Sequence, residues 1–287
     1  MKINRAYDTD KYLFVPVLLV VFFSLFACEE LIQPDLEQGP KRLVIEAHLV
    51  KAHDKDSVLN SSIQLTTTNA YFEQGPPPPA QGALVRIINE QKDTIWFEER
   101  TPGLYQSDNL TLNNQSDLSL IIDYEGMQYQ ARDHIRKVPA FDTVFVQREK
   151  TDFDRDSVWA VYGGLTDPAD QENYYLWEIE HLDRDSLIFF NPGEDRYWDG
   201  GRVRAARINF FFAPADGATI RVYQHAISKE AFEYYTYLFR LMTQRPGPFD
   251  TPPAPAKGNV SNKTEPELYP LGYFRVSEAD YRDLKIK

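Results

Sequence analysis

From Arg42 onward the apolar positions recur on a period of two. Leu43, Ile45, Ala47 and Leu49 alternate with Val44, Glu46, His48 and Val50, the pattern of a half-buried strand. Ile63 to Phe72 is rich in β-branched residues and predicts a second strand. Two hairpins follow: Ala83–Ile88 and Thr94–Glu98 flank the polar turn Asn89–Lys92, and Leu118–Tyr124 and Met127–Ala131 flank Glu125-Gly126. Between them Pro102-Gly103 turns the chain into a strand at Leu104. Pro76 to Pro79 cannot donate ladder hydrogen bonds and predict an exposed, stiff loop. About seven short strands at this spacing predict an immunoglobulin-like β-sandwich over residues 41–137.

Lys137-Val138-Pro139-Ala140 marks the expected boundary, and residues 138–287 form a second β-rich domain. Strands are expected at Phe141–Arg148, Ser157–Leu165 and Tyr174–His181, then, after a polar loop, at Val203–Phe212 and Ala218–His225. The period then changes. After Ser228, an N-cap, Phe232, Tyr235, Leu238, Phe239 and Met242 recur at three- and four-residue steps and predict an amphipathic helix over about 229–244. Its aromatic stripe reads as core packing. A strand around Gly272–Val276 closes the chain. The fold class is mainly β, an N-terminal immunoglobulin-like sandwich followed by a second β-sandwich or barrel-like domain with one helix.

The N-terminus departs from all of this. Lys2, Arg5 and Lys11 precede an apolar run from Tyr12 to Ala27, too short to span a bilayer as a permanent helix. A basic segment, a short apolar segment and a small residue before a cut describe an export signal over residues 1–27. Leu25-Phe26-Ala27-Cys28 resembles the lipobox of bacterial lipoproteins, which implies cleavage before Cys28 and acylation, for example by palmitate, of that only cysteine. Several acyl chains hold a protein on a membrane where one would bind reversibly. Residues 28–40, acidic with two prolines and a glycine, read as a flexible tether. Glu29-Glu30 also resembles the surface-export signals of lipoproteins from the Bacteroidota.

Charge narrows the partners. Removing residues 1–27 takes away three basic residues and two acidic ones, moving the net charge from −12 to −13. That argues against nucleic acid and leaves cationic, neutral or protein partners open. With one cysteine there is no intramolecular disulfide, so stability comes from burial.

Catalytic motifs are missing: no Gly-x-Ser-x-Gly, Walker loop, dinucleotide fingerprint or His-Glu-x-x-His occurs. The five histidines have no zinc-ligand spacing. The chain is therefore read as a non-enzyme with no cofactor. Asp152, Asp154 and Asp156 alternate as calcium ligands do, but the sixth-position glycine and twelfth-position glutamate are missing and Arg155 intervenes, so a solvated turn is favoured over a metal site. The best binding loop is Arg196, Tyr197, Trp198 and Asp199, aromatics between acids in a turn ended by Gly200-Gly201. In one reading its rings meet a ligand; in the other they fold back onto the protein.

The order LVIEAHL, TTTNAYF, QGALVRI, PGLY, LIIDYEGMQYQA, ENYYLWEI, WDGG, the helix at Ala231 to Met242 and GNVSN before LGYF resembles the domain-of-unknown-function 4249 family of outer-membrane lipoproteins. The resemblance implies a lipid anchor on the periplasmic or cell-surface face of the outer membrane and an association with a TonB-dependent receptor. It carries no catalytic residue with it. The expected function is a binding or accessory lipoprotein for nutrient capture or uptake. The alternatives are a surface hydrolase and a structural envelope lipoprotein without a ligand.

Overall fold

The computed structural model describes residues 39–287 except 56, 70–72, 74, 114–116, 151–156, 184–185, 210–214 and 244–253. The signal segment, Cys28, most of the tether and the Asp152/Asp154/Asp156 run lie outside the described residues.

The first half forms as its alternation dictates. β1 (Leu43–Ala52) pairs antiparallel with β2 (Val58–Thr67), placing Ala47 opposite Ile63 and His48 opposite Ser62. β3 (Leu84–Ile88) and β4 (Thr94–Thr101) make the first hairpin, and β5 (Leu104–Gln106) joins β4 to β2. β6 (Asp117–Tyr124) and β7 (Met127–His134) make the second. Glu125 and Gly126 both take positive φ there, 48° and 76°, which matches the twist of the paired strands. The inward residues Ile45, Leu49, Ile63, Leu65, Val85, Ile87, Leu120 and Ile122 are buried together as the first core.

In the second half β8 (Phe141–Lys150), β9 (Ser157–Thr166) and β12 (Arg202–Arg207) form a three-stranded sheet. β10 (Tyr174–His181), β11 (Ser186–Glu194) and β13 (Thr219–Ile227) extend the sheet begun by β1. Phe141, Val161 and Leu165 pack with Tyr175, Trp177, Ile179, Ile220 and Val222 as a second core. The helix α1 (Lys229–Thr243) starts at Ser228, whose Oγ accepts the Ala231 N–H at 2.9 Å, the expected cap. Ala231 and Tyr235 bury against Leu176, Ile227 and Tyr273.

The C-terminal strands tie the halves together. β14 (Ser261–Asn262) pairs with β7. β15 (Leu271–Lys285) runs parallel to β1 through its first part and antiparallel to β13 through its second, in a sheet of order β11-β10-β13-β15-β1-β2-β5-β4-β3-β6-β7-β14. Its start needs glycine: Gly272 has φ 91°, and a Cβ there would sit 2.1 Å from the Ile45 carbonyl oxygen. The first core therefore includes Val260, Phe274 and Val276, from chain far beyond the expected boundary at 137. Residues 40–287 form one compact unit.

The arrangement is mainly β with one helix and large sheets, consistent with sandwich and barrel-like packing. Details shift. β2 begins earlier than expected, β11 occupies what read as polar loop, and β15 extends nine residues past Val276. In β15 the cause is charge buried in pairs. Glu278 accepts from His53 at 2.8 Å and lies 3.7 Å from Lys51, while Asp280 accepts the Phe141 N–H at 2.7 Å. These residues break the apolar pattern without leaving the strand.

Candidate functional site

The loop after β11 is built by its carboxylates. The Asp195 carbonyl accepts the Trp198 N–H at 2.6 Å, and the Trp198 carbonyl accepts the Gly201 N–H at 2.6 Å, giving two successive turns. Asp195 is buried, its Oδ2 accepting from Asn173 N and Nδ2 at 2.7 and 3.1 Å. Asp167, also buried, accepts from the Tyr175 hydroxyl and from Gly200 N at 3.3 Å. Asp199 is exposed and its Oδ1 accepts the Asp170 N–H at 3.0 Å. The three carboxylates tie the loop to the segment from Asp167 to Asn173.

That frame separates the two rings. Trp198 is half-buried against the second core, with Nε1 enclosed and without a hydrogen-bond partner. Tyr197 is 86% exposed. Arg196 is exposed and pairs with Glu194 at 3.1 Å. Of the expected loop residues, Trp198 folds back onto the protein and Tyr197 is the ring left exposed.

One oxygen from each of Asp167, Asp195 and Asp199 can be chosen so that all lie within 4.8 Å of one another, and among the described residues this is the group that could hold a metal ion. Burial pushes the Asp167 carboxyl up; hydrogen bonds from Tyr175 and Gly200 oppose this, and the charges of Asp195 and Asp199 add to it. Each carboxylate already has a protein donor. Asp167 was not visible from the sequence, which places it well before the loop with no motif around it.

A second group has a different character. On the face of β1 and β15 away from the first core, Arg275 makes a bidentate bond to Glu178 of β10, at 2.8 and 3.1 Å. His225 of β13 lies with Nε2 2.9 Å from Glu178 Oε2 and Nδ1 3.1 Å from Ser277 Oγ. Burial acts to raise the Glu178 carboxyl, but Arg275 and His225 more than reverse it and hold it well below the usual carboxylate range. Burial and then the Arg275 charge push the His225 imidazole down, against the pull of Glu178, and push His48, beside Arg275 in register, down to about 3. Ser277, His225 and Glu178 have the connectivity of nucleophile, base and acid. Ser277 is 0% exposed, however, and the Glu178 carboxylate is committed to Arg275, so no substrate reaches that hydroxyl in this arrangement. The signal in the sequence was charge inside apolar strands, Glu178 in YLWEIEH and Arg275 in LGYFRV.

Residues 29–282 match the model of the family described as a domain of unknown function, DUF4249, and the chain belongs to that family. No curated protein and no solved structure matches it.

Proposed function

We propose that the protein is a lipid-anchored, non-enzymatic binding or accessory component of the outer membrane, working beside a TonB-dependent receptor in nutrient capture or uptake. The observation that carries this reading is Tyr197, a large ring left 86% exposed on a loop that three carboxylates tie to the segment from Asp167 to Asn173. A rigid aromatic buries much area at little entropic cost, and such rings dominate interface energetics. The acids around it favour a cationic or neutral partner. The apolar run ending at Cys28 supplies the anchor in this reading.

The test places a photo-cross-linking amino acid at position 197 in the native host. An integral outer-membrane receptor among the cross-linked products is the expected result, weakened at least about fivefold in yield by charge reversal of Glu194 to Lys. Cross-links to lipid or to this chain alone would end the receptor reading. In parallel, Cys28→Ser releases the protein from membranes if the anchor is correct.

A further inference from the structure

A strand that ends a sheet is a template for pairing with another chain, and folded proteins blunt such edges by shortness, charge, bulges or a covering element. The two sheets end on four strands, β11, β14, β12 and β8. Three of them carry such a device. β14 is two residues long. β12 holds Arg202, Arg204 and Arg207 within six residues, and its register breaks between Val203 and Ala206. β11 is wrapped by α1: Phe189 packs toward the second core and Phe190 toward Ala231 and Tyr235, yet the Phe239 ring lies 6.0 and 6.2 Å from theirs. Successive strand residues point to opposite faces, so a ring that meets both sits across the edge. The β8 edge is bare. Asp280 and Arg282 cap the backbone of Phe141 at its start. Among the described residues, the backbone from Thr143 to Gln147 pairs with β9 and with nothing else.

We propose that the β8 edge is the contact surface for a second copy of this chain, paired antiparallel about a two-fold axis through Phe145. The sequence of the edge selects that partner. Thr143-Val144-Phe145-Val146-Gln147 has the same character read in either direction. Inverting it sets Thr143 against Gln147, Val144 against Val146 and Phe145 against itself, the self-match that a two-fold contact requires. Charge agrees. The stretch carries none, in a chain of net charge −12 whose copies repel elsewhere. Asp142 flanks it at one end and Arg148 at the other, so each end approaches the opposite charge of the other copy.

The residue at the axis is prepared for contact. Phe145 is 37% exposed and lies flat on Tyr162 of β9, with ring centroids 5.2 Å apart and 12° between the planes. A ring already held in place loses little freedom on burial, and aromatic pairs across strands add to the ladder of backbone bonds. Val144 and Val146 pack against the second core, which fixes the strand before a partner arrives. Pairing would join two three-stranded sheets into one of order β12-β9-β8-β8-β9-β12. The proposal does not rest on the receptor reading.

The experiment uses residues 28–287 with Cys28→Ser, which removes the only cysteine. Sedimentation equilibrium should show a monomer–dimer equilibrium with a Kd on the order of 10–100 μM, as befits a contact this small. Phe145→Lys places like charges at the axis and should weaken the dimer at least tenfold without moving Tm. A cysteine trap tests the register even where that variant fails to fold. Phe145→Cys should form an intermolecular disulfide under mild oxidant, because directly opposed strand residues lie within disulfide reach. Gln147→Cys should not, because its own copy across the axis lies far along the partner strand. A chain that stays monomeric up to about 1 mM would overturn the proposal and leave the edge to a strand of another protein. So would a dimer that survives Phe145→Lys, or a Gln147→Cys variant that cross-links as readily as Phe145→Cys. None of these outcomes changes the cross-link expected at position 197.

Discussion

The two faces of β1 and β15 are buried by opposite means. One face presents Leu43, Ile45, Ala47, Leu49, Phe274 and Val276 to the first core, where contact between aliphatic groups excludes water. The other presents His48, Arg275 and Ser277, whose polar groups are enclosed with Glu178 and His225. The first face gains from burial directly. The second must match each charge with a partner, because a desolvated charge left alone costs more than any packing around it returns. Alternation along a strand says which residues share a face; it does not say that the polar face meets solvent.

The comparison can be broken most completely by cutting the chain. Residues 40–137 contain the whole expected sandwich but lack Val260, Phe274 and Val276. We expect that fragment to be unfolded by circular dichroism, and a version with residues 258–285 appended through a flexible linker to recover a cooperative melt. A fragment that melts cooperatively alone would show that β1 needs no partner from β15.

A smaller effect separates the faces energetically. Arg275→Met leaves Glu178 buried without its cation and should destabilise by about 3–5 kcal/mol in denaturant unfolding. Adding Glu178→Leu should recover most of that loss, since a buried ion pair often exchanges for apolar groups at little net cost. Phe274→Ala on the opposite face also costs about 3–5 kcal/mol, but no second truncation near it restores stability. Recovery absent from the polar pair would mean that its geometry stabilises the fold beyond charge matching.

The smallest effect is on pH. The His48 imidazole is held at about 3, far below its unfolded value, so below the unfolded pKa the unfolded chain takes up a proton that the folded chain refuses. Stability from this group is full above about pH 6.5 and falls as pH drops toward 3. Glu178, held well below the usual range, adds a loss in the same direction at the acid end. His48→Gln should therefore flatten the upper part of the decline in Tm between pH 6.5 and 4. A slope identical to wild type would place the proton uptake elsewhere.

Much of the first half was legible because its residues obey one rule at a time. β1, the two hairpins and the turn at Glu125-Gly126 each follow from alternation or turn chemistry, and α1 follows from Ser228 and the change of period. The rest depended on distant chain. Nothing local in Glu278 or Asp280 announces a buried strand, because their partners Lys51, His53 and Phe141 lie more than a hundred residues away. The loop from Arg196 to Asp199 was singled out by its composition, yet which of its two adjacent rings faces out depends on how it docks on Asp167 and the second core, residues outside the loop.

A strand that closes the sheet beside β1 but follows it by most of the sequence also fixes when that part of the fold can form. Val44 pairs with Leu271, so β1 waits for chain made more than two hundred residues later before its second edge is closed. Contacts of such separation make for slow folding and a long exposure of the unpaired edge to other chains. A chain stopped short of residue 271 lacks the strand that pairs with both β1 and β13, and those two edges stay open to proteases and to other chains.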